Sequence, residues 1–389
     1  MSEAWKILLA LTFARMTMGF QFQSIPALAS ELTGPAGMSF AALGTLTGAY
    51  LLPGAVVALL GGWLALKVGA SRIAFIGLAL MSVGGIGVWW VTEFQAALFW
   101  RSVSGIGAVG LNVMQTKMAA DWFDGREDLP TAMGVLVSSW PAGIAIATLL
   151  LPVFAQFFGL SAGLLVSAVL CLTGWILLAL VWREADDVTV APEGAKTRFT
   201  VLEWQRVILA GLIWAIYNVA LIAVIAWTPG VLETVGYSSI GATAASSVIG
   251  WAAIVSVAAG GWLAAKAWHR DLPALACFVV SAMLFCALPY LGVWAGSFVV
   301  MLVVGLAIGP AAAAIMTLPV VAARAELRAL AMGIYFAIYY AIMGVGPAIM
   351  GLLRDATGAV GAPHIASAIL LVLCLPAWWA FRRLQSAET

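Results

Sequence analysis

A chain of 389 residues that is 64% hydrophobic and 9% charged, with a mean hydropathy of +1.07, is far more apolar than a soluble domain, whose charged fraction runs near a quarter. It reads as an all-α integral membrane protein. A net charge of +1, without a basic tract or an aromatic-basic face, sets nucleic acid aside as a partner.

Apolar windows of spanning length predict twelve helices, over 5–29, 40–66, 73–92, 94–120, 131–157, 160–182, 205–230, 239–265, 272–291, 295–322, 329–353 and 364–382. The first begins MSEAWKILLALTFARM, lacks a small-residue cleavage site, and is expected to stay as a helix rather than be removed. It contains Arg15, about 15 Å from its start at the helical rise, and so near the midplane. The fourth helix enters from the other side and places Arg101 about 10 Å deep. No Asp or Glu is expected at comparable depth. A guanidinium near the bilayer centre costs roughly 2.5–3.5 kcal/mol and cannot shed its charge, so a cavity, a partner or an anion must compensate it.

Polar and small residues accompany both arginines on one stripe of each helix: Thr12, Gly19, Phe22, Gln23 and Pro26 on the first, and Ser104, Gly105, Ala108, Asn112 and Gln115 on the fourth. The prolines at 53, 141, 229, 310 and 347 predict bends. After the sixth helix a polar stretch, 183–203, divides the chain into a six-helix bundle over 1–183, a linker over 184–203 and a second six-helix bundle over 204–389. The second half carries Trp214, Tyr217 and Asn218 on the seventh helix, Ser247 and Trp251 on the eighth, and Tyr335, Tyr339 and Tyr340 on the eleventh. An aromatic wall opposite two arginines suits an anion with an apolar body. Aromatics at helical spacing equally serve as packing or interfacial anchors.

Fifteen Lys and Arg fall in loops or helix ends on one side, from Lys6, Lys67 and Arg72 to Arg382 and Arg383, whereas Arg354 alone falls on the other. The asymmetry places both termini in the cytoplasm, with the protein in the cell (inner) membrane. The halves also repeat at an offset of 199: GGWLALK from Gly61 with GGWLAAK from Gly260, AMG from Ala132 with AMG from Ala331, and Gly110 with Gly309. Repeats of this kind let two bundles rock about a central site.

With GWLALKVGASR over 62–72, RSVSGIG from Arg101 and GPAIMGLLRDATG over 346–358, the chain resembles the major facilitator superfamily along essentially its whole length. The resemblance implies the fold of that superfamily: two six-helix bundles that work by alternating access. The first stretch departs from the family pattern, with Leu66 and Lys67 where an acid and an arginine are usual, which removes the basis for the usual latch between helices at that face. The stretch 118–143 is similar to the connection between helices four and five of cyanate- and nitroimidazole-type permeases. The helix-four arginine is frequent across the superfamily and serves there either to bond neighbouring helices or to meet an anion; both roles stay open for Arg101.

These readings lead to a secondary active or facilitative transporter of a small organic anion, most simply a carboxylate, acting as an exchanger or uniporter. Arg15 and Arg101 are the candidate charge contacts, and Gln23, Asn112, Trp214, Tyr217, Asn218, Trp251, Tyr335 and Tyr339 complete the candidate site. Proton coupling is disfavoured because the acids are interfacial and His269 and His364 fall in loops. The alternatives are an inorganic anion permease for cyanate, nitrate or nitrite, and a polyspecific efflux pump. Zinc spacings, a nucleophile elbow and a phosphate-binding loop are missing from the sequence, so no enzyme, metal or cofactor is expected. The four cysteines fall in apolar runs as buried hydrophobes. The expected partners are the anionic substrate and the lipid bilayer, with the chain acting as a monomer.

Overall fold

The computed structural model describes residues 2–34, 37–124, 126–184, 198–266, 271–290, 297–324 and 327–386. In chain order the helices are α1 (Glu3–Ala27), α2 (Ala29–Thr33), α3 (Phe40–Ala49), α4 (Gly54–Val68), α5 (Ala70–Trp90), α6 (Phe94–Trp122), α7 (Leu129–Phe158) and α8 (Leu160–Val181). After these come α9 (Val201–Thr234), α10 (Ser239–Lys266), α11 (Leu272–Ala287), α12 (Ser297–Ile308), α13 (Pro310–Ile315), α14 (Leu318–Ala322), α15 (Arg328–Thr357) and α16 (Ala362–Ser386). Each of the twelve predicted segments is met by helix within a few residues. The predicted linker falls largely on 185–197, outside the described residues, as does His269.

Among the described residues nine helices are long and apolar enough to cross a membrane. α1 and α6 are not among them although they have 25 and 29 residues, because they carry Arg15, Gln21 and Gln23, and Arg101, Asn112 and Gln115. Their reduced hydropathy reflects their place in the interior. Two segments are broken: the second between Ala49 and Gly54, just before and at Pro53, and the tenth at Gly309–Pro310 and again at Met316–Thr317. α7, α9 and α15 run on as helix through Pro141, Pro229 and Pro347, so those three prolines do not interrupt their helices.

The packing repeats. α1 packs on α7 and α8 as α9 packs on α15 and α16, and α5 meets α6 and α8 as α11 meets α12 and α16. The helices of the first half, α1–α8, touch those of the second, α9–α16, through α15 against α3 and α4, and through α7 against α10, and these halves are the two groups below. On the face that carries the start of α1, ties join helices of one group: Glu3 to Arg183 at 3.2 Å, Trp5 Nε1 to Asp128 at 2.9 Å, Glu203 to Arg324 at 2.9 Å and Asp271 to Arg382. We call this the terminal face and the opposite one the distal face.

On the distal face the ties cross between groups. Asp355, at the end of α15, accepts from the first backbone N–H groups of α3, Phe40 at 3.1 Å and Ala41 at 2.7 Å. A carboxylate there satisfies orphan donors and complements the helix dipole. The Arg354 guanidinium lies 4.9 Å from the Phe40 ring centre, Phe40 packs on Trp227, and Ser30 donates to Glu233 at 2.8 Å. Behind these contacts α3 and α15 meet backbone to backbone, since a Cβ added at Gly44, Gly48 or Gly351 would collide with the facing main chain. A residual cavity of about 20 Å³, between Pro26, Thr47, Val219 and Pro347, has room for about one water. Toward the terminal face α15 meets α4 less closely: a Cβ at Gly333 would sit 3.8 Å from Ala58 O, an ordinary contact.

His364 departs from its expected loop position. The short connection after α15 lets α16 begin at Ala362, so His364 lies in its first turn, fully buried, with Nε2 3.1 Å from Thr228 Oγ1.

Asp355→Ala removes both acceptors from the start of α3. A lost cap of about 1 kcal/mol corresponds to roughly fivefold more of the distal-open form. A cysteine at Leu43, in the sealed cavity wall, is therefore expected to react about fivefold faster with a membrane-impermeant maleimide from the distal side.

Candidate substrate site

The two arginines have different surroundings. Arg101 is 2% exposed, and its fork is filled: Nε donates to Leu46 O at 3.3 Å, one terminal nitrogen to Gln21 O at 2.8 Å and Ser24 Oγ at 3.4 Å, and the other to Phe22 O at 3.0 Å. Its guanidinium stands 4.7 Å from the Tyr50 ring centre. The acceptors follow from helix chemistry. Pro26 has no N–H, so the carbonyl four residues earlier, Phe22, loses its intrahelical donor, and Leu46 lies in the last turn of α3, where carbonyls run out of partners. Arg101 thus ties α6 to α1 and α3.

Arg15 is only half-buried and makes one hydrogen bond, from a terminal nitrogen to Leu136 O of α7 at 3.2 Å. Its Nε is enclosed without a partner. The described acids all lie at helix ends or in loops, away from this depth. The guanidinium lies within electrostatic range of the Tyr339 and Tyr340 side chains of α15, in the second group. Asn112 of α6 donates to Tyr340 Oη at 2.7 Å, a further link across the groups. Gln115, one turn along α6, is fully buried with neither amide atom paired, and Gln23 is 1% exposed with its amide oxygen unpaired.

On the other side Trp214 anchors an aromatic cluster, its ring nearly parallel to Tyr217 at 5.8 Å and to Tyr335 at 6.3 Å, and tilted against Tyr339 at 5.9 Å. Tyr217 is closed off, since its hydroxyl donates to Ile308 O at 2.8 Å, a carbonyl at the break between α12 and α13. The Tyr335 hydroxyl points to Met316 Sδ at 3.6 Å, and Asn218 donates to Trp214 O of its own helix at 2.8 Å. Trp251 is 41% exposed on α10, a surface position on that helix, and Ser247 bonds Ala244 O in its own helix.

The structure therefore brings together Arg15, Asn112, Tyr339, Tyr340 and Trp214, with α7 as a third wall through Leu136. That α7 contact was not anticipated, because a backbone carbonyl leaves no residue-type signal. Tyr340 is distinguished from its neighbours only by the hydrogen bond it receives.

The arrangement of a polar site between two matched helix groups agrees with the sequence comparison, in which the model of the Major Facilitator Superfamily matches residues 7–347. The chain belongs to that superfamily. Solved transporters share its fold. A bacterial homologue of the human lysosomal transporter Spinster, inward-facing and occupied, superposes with a TM-score of 0.78 at 15% identity, covering 97% of this chain and 96% of that one. A peptide transporter, POT, in complex with sulfate gives 0.75 at 14% identity, covering 97% and 95%. A D-xylose–proton symporter gives 0.74 at 16% identity, covering 97% and 98%. No curated protein matches significantly. The superfamily consists of transporters rather than enzymes.

The two arginines should separate experimentally. Arg101→Ala leaves several buried carbonyls unpaired, at about 1–3 kcal/mol each, and is expected to lower the thermal midpoint of the purified protein by several degrees, with Arg101→Lys recovering only part. Arg15→Ala removes one hydrogen bond, and is expected to change the midpoint of the ligand-free protein far less.

Proposed function

We propose that this superfamily member moves a small organic anion, a carboxylate, across the membrane by alternating access, as an exchanger or uniporter. One observation carries the reading: the Arg15 guanidinium, at mid-depth between the two groups, is held by a single main-chain carbonyl, with one buried donor unpaired. A bidentate contact from a carboxylate would supply the missing acceptors and the missing charge. Tyr339 and Trp214 line the same place with apolar surface, which favours an anion with a carbon body over a bare inorganic ion. Arg101 is assigned the organising role and Arg15 the charge contact, with Asn112 and Tyr340 bridging the groups beside it.

Contacts close the distal face, and the reading assigns entry in this state to the terminal face. The excess of Lys and Arg at that face supports cytoplasmic termini in a cell membrane. His364 bonds Thr228, fourteen residues along α9 from Trp214 and about 20 Å away at the helical rise, which argues against a role for it at the site. An empty carrier would hold an uncompensated guanidinium through the transition, which favours interconversion of the loaded forms.

Thermal-shift titration of the purified protein with carboxylates and inorganic anions tests the reading. A carboxylate at a hundred times its Kd is expected to stabilise wild type by about 2.7 kcal/mol and Arg15→Ala hardly at all. Equal stabilisation of both proteins would move the site elsewhere. In proteoliposomes, uptake is expected to need an internal counter-substrate or a substrate gradient; uptake that requires only a pH gradient would contradict exchange and uniport.

A further inference from the structure

The end of α16 carries a feature that the transport site does not use. Ile369, Val372, Leu373 and Pro376 are exposed along that helix, and with Trp379 and Arg383 they fall within one stripe of about 120° at 100° per residue. An exposed apolar stripe on a membrane helix lies against acyl chains, and a tryptophan that closes it stands at headgroup level. Trp379 is 56% exposed at that position, and an open cleft beside it is walled by Trp379, Arg382, Arg383 and Ser386. The two arginines of the cleft differ in how their charge is met. Arg382 is spent: Nε donates to Asp271 at 2.9 Å, one terminal nitrogen donates to the same carboxylate, and the other donates to Gln385 at 2.7 Å. Arg383 is exposed, and its guanidinium carbon lies 3.6 Å from the centre of the Trp379 ring. Among the described residues no carboxylate pairs with it. The aromatic face attracts the cation, while the planar fork keeps its N–H donors for a second partner.

We infer that the cleft holds the headgroup phosphate of a singly charged anionic phospholipid in the leaflet at the terminal face, with its acyl chains along the α16 stripe. The inference is independent of the transported substrate. Charge complementarity selects the class: one guanidinium lacks a counter-charge, and one phosphodiester supplies it in a form that an arginine meets with two donors. A zwitterionic lipid brings a cation of its own with the phosphate, so it leaves the net charge of the site unchanged. The stripe selects a lipid over a free anion, because inorganic phosphate gains nothing from Ile369, Val372 or Leu373, and an exposed guanidinium alone is screened by salt. The excess of Lys and Arg at the terminal face draws anionic lipid to the same leaflet. Because Arg382 and Asp271 tie this end of α16 to the start of α11, a lipid seated here anchors both helices at one depth.

Native mass spectrometry of the full-length protein, released from detergent with an equimolar mixture of phosphatidylglycerol and phosphatidylcholine, counts the lipid retained. Wild type is expected to hold phosphatidylglycerol about fivefold in excess as the first bound lipid, the preference that one basic side chain near a membrane surface confers. Arg383→Gln is expected to bring that ratio close to one, and Trp379→Leu to lower it about twofold. Lys117→Gln removes an exposed cation already paired with Asp121 at 2.6 Å, and is expected to leave the ratio unchanged. Inorganic phosphate is expected to displace little of the lipid. An equal ratio in wild type overturns the inference, as does a preference unaltered by Arg383→Gln or by Trp379→Leu, or one that falls as far in Lys117→Gln. Displacement by inorganic phosphate also overturns it, since the cleft then binds a free anion and not a lipid. The wild-type ratio and the phosphate competition are read without any variant, so a substituted protein that does not fold leaves the test intact.

Discussion

Within a bilayer every main-chain carbonyl released by a helix break must find a donor inside the protein, and this chain answers the demand with side chains taken from other helices. Arg101 caps the Phe22 carbonyl freed by Pro26 and the Leu46 carbonyl at the end of α3; Tyr217 and Cys277 meet the Ile308 carbonyl at the break before α13. These caps hold broken segments at fixed angles beside the centre of the molecule. Arg15 Nε is left without such a partner, as are the Gln115 amide and the Trp214 and Trp378 indole nitrogens.

The functional cycle follows from where the groups touch. α15 runs along α3 and α4, and α7 lies against α10, so the halves are joined by two long seams with Arg15, Asn112, Tyr339 and Tyr340 between them. α15 is tight against α3 at the distal face, and its Gly333 meets α4 at an ordinary distance toward the terminal face. Polar ties follow the same gradient, crossing between groups where the seam is tight and joining helices within a group at the other face. In the proposed cycle, rocking about the candidate site exchanges one arrangement for the other, the behaviour expected of repeated bundles.

Much of the architecture was legible in the sequence, because the span signal depends on composition over about 20 residues and survives local irregularity. The all-helical class was legible, and the predicted segments coincide with helix among the described residues. What escaped was set by partners distant in sequence. The role of Arg101 needed the knowledge that α6 passes the proline of α1, although Pro26 and the carbonyl it frees were both visible. Asp355 reads as an ordinary interfacial acid until α3 is seen to start beside it. His364 looked like a loop residue because a four-residue connection leaves no composition signal, and Trp251 could not be told from a cavity aromatic because periodicity does not say which face of a helix meets lipid. The aromatic cluster was half-legible: Trp214 and Tyr339 were named, but only the ring geometry separates them from Tyr217, whose hydroxyl is already used.

The bare glycines of the distal seam carry a mechanical implication. Gly44, Gly48 and Gly351 present no side chains to interlock, so parting the two helices there requires no rotamer to be vacated and no bulky group to be dragged through a gap. Such a surface lets the two main chains lie in direct contact, so close packing adds to the polar clasps at its rim, and both are given up together when the helices part.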